Sequence, residues 1–226
     1  MLQKYSNLTH QNCVLRRDRG ATERLNKHDI TLYGFSTTRS SRCKWTLQEL
    51  GLPFKDVDNP SLVGTDTLRE LHPQAKLPVC VIDGEPLFES SAICTCLCDL
   101  VPDKQLIARV GTRDRALHYQ WVSFALTEME NYLWHSFRHT EFYPESRRVP
   151  EVVVSNSDEF RAGAKVLNDA LKGNQYLVGK DFSVTDIIVS WLLNWGRRLG
   201  LLDEFSNLHD YLKRLFEREH CTLRQD

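Results

Sequence analysis

From Asp29 onward the apolar and polar positions fall into two regimes. Ile30, Thr31, Leu32 and Tyr33 form a short β-type run that Gly34 ends. A hydroxyl-rich stretch follows, and then Cys43, Trp45, Leu47 and Leu50 recur at helical spacing. Gly51 and Pro53 supply the stop signal for that helix. Residues 54–57 read as a second strand and 59–75 as loop and short helix. Residues 77–82 predict a strand, Asp83-Gly84 a hairpin turn, and 86–88 its partner. A helix then runs from Glu89-Ser90-Ser91 to Leu100, with a hydroxyl and an acid where caps belong. The order is β-α-β-α-β-β-α.

After Pro102-Asp103-Lys104 every periodic segment is helical. Residues 109–139 carry Leu117, Trp121, Phe124, Leu126, Met129, Leu133, Trp134 and Phe137 as a long amphipathic pattern. Residues 160–171 predict another helix. Ser183 and Asp186 have the spacing of a capping box, flanked by Phe182 and Ile187 as a hydrophobic staple. The helix they open, 187–199, is apolar nearly all round, which is the pattern of a buried central helix. Residues 208–218 predict a last one. The expected division is an N-terminal extension (1–28), an α/β domain (29–101), a linker (102–108) and an all-helical domain (109–226).

Composition narrows the function classes. The 226 residues are 41% hydrophobic and 26% charged with a net charge of −1, so no basic field calls for nucleic acid. In the C-terminal half the longest apolar run, 187–193, is far short of the ~20 residues a membrane span needs. Seven cysteines, an odd number without a C-x-x-C, read as reduced thiols of a cytoplasmic protein rather than a disulfide framework. Residues 1–28 lack a hydrophobic period and cluster Arg16, Arg17 and Arg19. A polar extension is the leading reading of them, and an organellar targeting segment the minor one.

Three places could hold chemistry. Pro78 inside a strand-like run removes a ladder donor. A cis Leu77–Pro78 bond would accommodate it, although only about 5–6% of such bonds are cis. Glu89-Ser90 at a helix start reads either as simple capping or as a site for a carboxylate. Ser36, Thr37 and Thr38 read as a capping segment that becomes chemistry only when a thiol ligand arrives, because a donated hydroxyl favours the thiolate. Cys94, Cys96 and Cys98 step by two along a helix, so core packing is expected and no metal. His135 and His139 stand four apart without a neighbouring Glu, which favours a solvated face. Arg147-Arg148 and Arg197-Arg198 read as solvated charge.

Together these features resemble the cytosolic glutathione transferase superfamily. The resemblance is carried by LYGFSTTRSSRCKWTLQELGLPF (32–54), LHPQAKLPVCVIDGEPLFESSAI (71–93) and NQYLVGKDFSVTDI (174–187). It implies a thioredoxin-like domain, α/β, followed by an all-α domain, with glutathione as co-substrate and no metal. Leu77, beside cis-Pro78, would bond the cysteinyl main chain of glutathione. Glu89 and Ser90 would hold its γ-glutamyl end, and Lys76 would reach the glycine carboxylate. Thr37 falls in the thiolate-stabilising position of many classes, with Ser36 and Thr38 beside it and Thr38 a further expected glutathione contact, and Arg39 falls where other classes place cysteine or asparagine. No cysteine lies between 34 and 42, which disfavours a mixed-disulfide mechanism. Phe35, Trp121 and Phe124, with Trp134, are the candidate electrophile pocket; core packing or a dimer face is the equal alternative for the three helical aromatics. The implied activity is conjugation of glutathione to hydrophobic electrophiles or reduction of hydroperoxides, by a homodimer. The alternative is a binding or scaffold protein that kept the fold without the chemistry, because the slot holds threonine and arginine where tyrosine, serine or cysteine is usual.

Overall fold

A computed structural model describes residues 27–223. The readings of the Arg-rich segment as extension or targeting peptide lie almost wholly outside them. A four-stranded sheet of order β2-β1-β3-β4 is built from β1 (Ile30–Gly34), β2 (Lys55–Asp58), β3 (Val79–Ile82) and β4 (Glu85–Phe88). β2 runs parallel to β1; β3 runs antiparallel to both β1 and β4. Helix α1 (Ser40–Leu50) makes the crossover and α3 (Ser90–Leu100) follows the hairpin, with a single turn, α2 (Asp66–Arg69), between β2 and β3. Period two sorts the strands between two cores. Ile30, Leu32 and Cys80 join the main core with α1 and α3, while Val79, with Tyr33 and Val81, packs on Leu68 and Ala75.

The remainder is helical: α4 (Arg113–Ala125), α5 (Asn131–Phe137), α6 (Pro150–Ala170), α7 (Val184–Arg198) and α8 (Ser206–Phe216). The long pattern expected over 109–139 starts later than expected, because Thr112 accepts from Arg115 N–H at 3.2 Å and caps α4. It is also uneven. Leu126–Glu130 and Arg138–Phe142 are π-helical turns, and the first inserts a residue so that Met129 and its neighbour Glu130 are both buried. Gly163 of α6 makes room for that turn: a Cβ there would stand 2.5 Å from Met129 Cγ and 3.1 Å from the Glu128 carbonyl. Helix α6 begins ten residues before the expected start, at Pro150, a residue whose fixed φ and missing N–H suit the first helical position.

Helix α7 is the buried centre, packed against α1, α3, α4 and α8. Asp186 secures its start: Ser183 N–H donates to one carboxylate oxygen at 2.8 Å. Leu177 N–H and the Tyr211 hydroxyl donate to the other at 3.1 and 2.8 Å. Of the arginine pairs expected to be solvated, Arg147 and Arg198 are exposed, while Arg148 and Arg197 are half-buried. Arg147 stacks over Tyr143 and Arg197 over Phe216.

Candidate functional site

Strand register gathers three segments at one end of the sheet. Tyr33 of β1 stands opposite Val79, and Val79 opposite Phe88. The β1–α1 loop (35–39), the segment Lys76-Leu77-Pro78 before β3 and the Glu89-Ser90 start of α3 are therefore neighbours. Gly34 permits the approach of strand to helix, since a Cβ there would lie 2.5 Å from Ser40 Cβ.

The Leu77–Pro78 bond is cis. Among the described residues, no main-chain hydrogen bond engages the Leu77 N–H or C=O. An extended peptide can therefore pair there. Lys76 is exposed nearby. His72 is buried, with its ring tilted against Phe88 at 4.7 Å between centres; burial lowers its pKa.

The start of α3 departs from the capping expectation. Glu89 is the N-cap residue, exposed, with φ of 70° and no side-chain capping bond. Ser90 is 5% exposed, and its hydroxyl accepts from Arg42 Nη1 at 3.2 Å. Its carbonyl receives the Cys43 thiol at 3.8 Å.

The loop before α1 separates its hydroxyls. Thr38 Oγ1 donates to the Phe35 carbonyl at 2.7 Å and accepts from Ser40 N–H at 3.3 Å, so its proton is committed. Ser36 and Thr37 are exposed. Among the described residues the Thr37 hydroxyl forms no hydrogen bond, and its φ of 76° is left-handed, uncommon for a β-branched residue. Arg39 is tied across to the helical domain: its Nε donates to Glu130, and its guanidinium lies 5.4 Å from the Trp134 ring centre and 5.6 Å from that of Trp191.

Glu130 also receives Arg42 Nη2. Arg42, with no side-chain exposure, lies 4.8 Å from the centre of the Trp191 ring, and its Nε is unpartnered. Burial pushes the Glu130 carboxyl up, but Arg42 and Arg39 outweigh it and hold the group below the usual range. Arg42, Glu130 and Trp191 are participants that sequence reasoning missed. The available signal was a charged residue on each of two apolar helical faces.

Of the expected pocket aromatics, Phe35 sits in the loop. Trp121 and Phe124 meet each other edge-on at 6.0 Å and pack partly buried on the main core, and the rings flanking Arg39 are Trp134 and Trp191. Among the described residues, Cys43, Cys80, Cys94 and Cys98 are core thiols. Cys43 and Cys98 are raised by burial, and burial likewise pushes Cys80 up to about 12. Cys94 is buried and Cys96 half-buried. Among the described residues, no group of three or more His, Cys, Asp or Glu is placed to hold a metal ion. No helix there is long and apolar enough to cross a membrane.

Residues 38–100 match the glutathione S-transferase N-terminal domain family, and 122–219 match the C-terminal domain family. The chain belongs to the cytosolic glutathione transferase superfamily. It is 27% identical over 188 residues to glutathione S-transferase GstA of Escherichia coli, covering 80% of this chain and 86% of that one. It is 29% identical over 147 residues to elongation factor 1-gamma of Prunus avium, covering 65% of this chain and 34% of the other. Among solved structures, a glutathione transferase of Phanerochaete chrysosporium in complex with oxidized glutathione superimposes with a TM-score of 0.77 at 19% identity. That likeness, over 86% of this chain and 94% of the other, is one of fold.

Proposed function

We propose that this superfamily member binds glutathione and transfers its thiolate to a hydrophobic electrophile or uses it against hydroperoxides. It works as a cytoplasmic homodimer, with residues 29–101 as the glutathione-binding domain and 109–226 as the helical domain. The observation that carries the reading is the unengaged main chain of Leu77, set at the same sheet end as Ser90 and the free Thr37 hydroxyl. Leu77 pairs with the cysteinyl residue, which directs its sulfur toward the loop. Thr37, with no competing acceptor, donates to that sulfur, and a hydrogen bond to the charged form lowers a thiol pKa. Thr38 holds the loop shape through Phe35. Lys76 meets the glycine carboxylate, while Glu89 and Ser90 meet the γ-glutamyl end. Trp134 and Trp191, with Phe35, offer flat apolar faces to the electrophile, and Trp121 and Phe124 lie on the preceding stretch of the same long helix.

Calorimetric titration with glutathione and with S-methylglutathione at pH 7 tests this. Tighter binding of the free thiol with release of a proton is the expected result; binding of neither ends the reading. Thr37→Val should then lower turnover by roughly one to three decades at little cost in affinity, the scale of losing one oxyanion-type donor. Unchanged turnover moves the role to Ser36, Thr38 or Arg39. A non-catalytic binding protein is the second reading. It is favoured by the pairing of Arg39 with Glu130, which leaves that cation partly neutralised before any thiol arrives. Proton-neutral binding of both tripeptides, without turnover, would select it.

A further inference from the structure

The helical stretch that carries Trp134 ends in a cluster of positive charge. The π-helical turn Arg138–Phe142 closes where Tyr143 N–H donates to the Arg138 carbonyl at 2.8 Å, and the short 3₁₀ turn Glu145–Arg147 doubles the chain back. Two arginines thereby reach one ring: the Arg138 and Arg147 guanidiniums lie 4.8 and 4.6 Å from the centre of Tyr143. Arg148 joins them, its Nε donating to the Tyr143 carbonyl at 2.8 Å. His139 Nδ1 accepts from Val149 N–H at 3.1 Å, and its ring meets Tyr143 edge-on at 5.2 Å. Its Nε2 therefore carries the proton and is a further donor.

Like charges gathered at one ring repel. Among the described residues, none of these three arginines pairs with a carboxylate. Glu141 and Glu145 of the same segment are exposed and do not reach them. The ring offers its π face but no counter-charge. A ligand oxyanion supplies one, and a guanidinium fork receives a carboxylate through two N–H groups.

Aromatic rings join this cluster to the thiol site. Tyr143 and Phe142 lie 6.3 Å apart, Phe142 and Trp134 6.3 Å, and the Arg39 guanidinium is 5.4 Å from Trp134. Phe142 is 67% exposed, and Phe137, stacked on Trp134 at 5.6 Å, is exposed beside it. An apolar strip thus runs from the loop before α1 to the arginines.

We propose that the electrophile is an elongated molecule with a flat apolar body and a carboxylate at its far end. The body lies on Trp134 and Phe142, and Arg138 and Arg147 take the carboxylate. The assignment rests on the transferase reading above and makes these two arginines determinants of its specificity. Merely solvated arginines would treat charged and neutral electrophiles alike.

The test uses the full chain, saturating glutathione and two electrophiles, 4′-carboxychalcone and its methyl ester. In each, the thiolate forms a C–S bond at the enone β-carbon, the π electrons pass to the carbonyl oxygen, and a proton from solvent ends on the α-carbon. Rates are divided by the uncatalysed rate with glutathione. Arg138→Gln combined with Arg147→Gln should raise KM for the acid about tenfold at unchanged kcat, the scale of a lost charge-assisted hydrogen bond. KM for the ester should change less than twofold. Equal effects on acid and ester, or none on either, overturn the assignment, while ester turnover by the parent chain leaves the transferase reading standing. A parent chain that binds glutathione but conjugates neither electrophile overturns the assignment alone; one that binds no glutathione overturns the transferase reading as well. If the double variant fails to fold, salt makes the comparison on the parent chain. Raising it from about 0.05 to about 0.5 M screens exposed charges, so KM should rise for the acid alone, and a parallel rise for both refutes the site.

Discussion

Of the polar clusters that join the α/β half of the molecule to the helical half, two solve the same problem by opposite means. At the site end, Arg39 and Arg42 of the first half meet the buried carboxylate of Glu130. Farther along α3, beside the Asp99–Arg115 ion pair, the halves meet through an uncharged clamp. His118 of α4 stands between Thr95 of α3 and Thr185 of α7, at 3.2 and 2.9 Å. The Thr95 proton goes to the Ser91 carbonyl at 2.8 Å, so His118 Nε2 donates to Thr95 and Nδ1 accepts from Thr185. Burial, with Arg115 nearby, lowers the His118 pKa to about 4. The neutral clamp needs no counter-charge and specifies helix positions. The charged cluster costs desolvation, and it holds a cation at the mouth where an anionic ligand is expected.

The largest expected effect breaks the charged side. Glu130→Ala leaves two guanidiniums facing each other, one fully buried, and should cost about 3–5 kcal/mol in denaturant unfolding. A loss below about 1 kcal/mol would show that the cluster does not hold the halves together.

The neutral side is separated from it by pH. His118 has a folded value below its ordinary 6.5. As pH falls from 6.5 toward 4, the unfolded chain takes a proton that the fold refuses, and stability should drop by about 3 kcal/mol across that window. Glu130 has the opposite charge type and a later window. Its stabilisation is complete above the ordinary glutamate value of 4.5 and is lost only as pH falls through its lowered folded value. Unfolding midpoints measured from pH 7 to 3 should thus show two stages, and His118→Gln should flatten the first alone. A slope unchanged in that variant would remove His118 from the account.

The smallest effect concerns Asp99, which pairs with Arg115 at 2.6 and 2.9 Å beside the histidine but is itself half exposed. Arg115 keeps bonds to the Ala108 carbonyl and the Tyr119 hydroxyl, both at 2.9 Å. Asp99→Asn should therefore cost only about 1 kcal/mol, screened by solvent. A loss matching that of Glu130→Ala would erase the distinction between the two ends.

Much of this architecture is readable along the chain. Alternation at Ile30 and Leu32 forecasts a strand facing one core, and the structure puts both residues there. The Ser183–Asp186 spacing forecasts the start of the central helix, and the carboxylate does accept from Ser183. Pro78 and Glu89-Ser90 stood out as a strand proline and a helix start, but their joint role with Leu77 was legible only through likeness to a family, because a free main chain and a positive-φ Glu89 have no periodic signature. Glu130 was not legible. Its burial depends on a π-helical turn that shifts the face of the long helix by one residue, and that turn depends on Gly163 more than thirty residues later.

The sequence determined the order of elements and, through its likeness to a family, the segments that could meet a glutathione-like peptide. Hydrophobic period, turn residues and caps act over a few residues, and those ranges are local. Tertiary structure decided which charges face one another. It placed Arg39 and Arg42 on Glu130 across the domain boundary, aimed Arg42 at Ser90, and left Thr37 free while committing Thr38. Those outcomes depend on the packing of helices distant in the chain. A buried guanidinium persists only where the assembled fold brings it an anion, which no local pattern specifies.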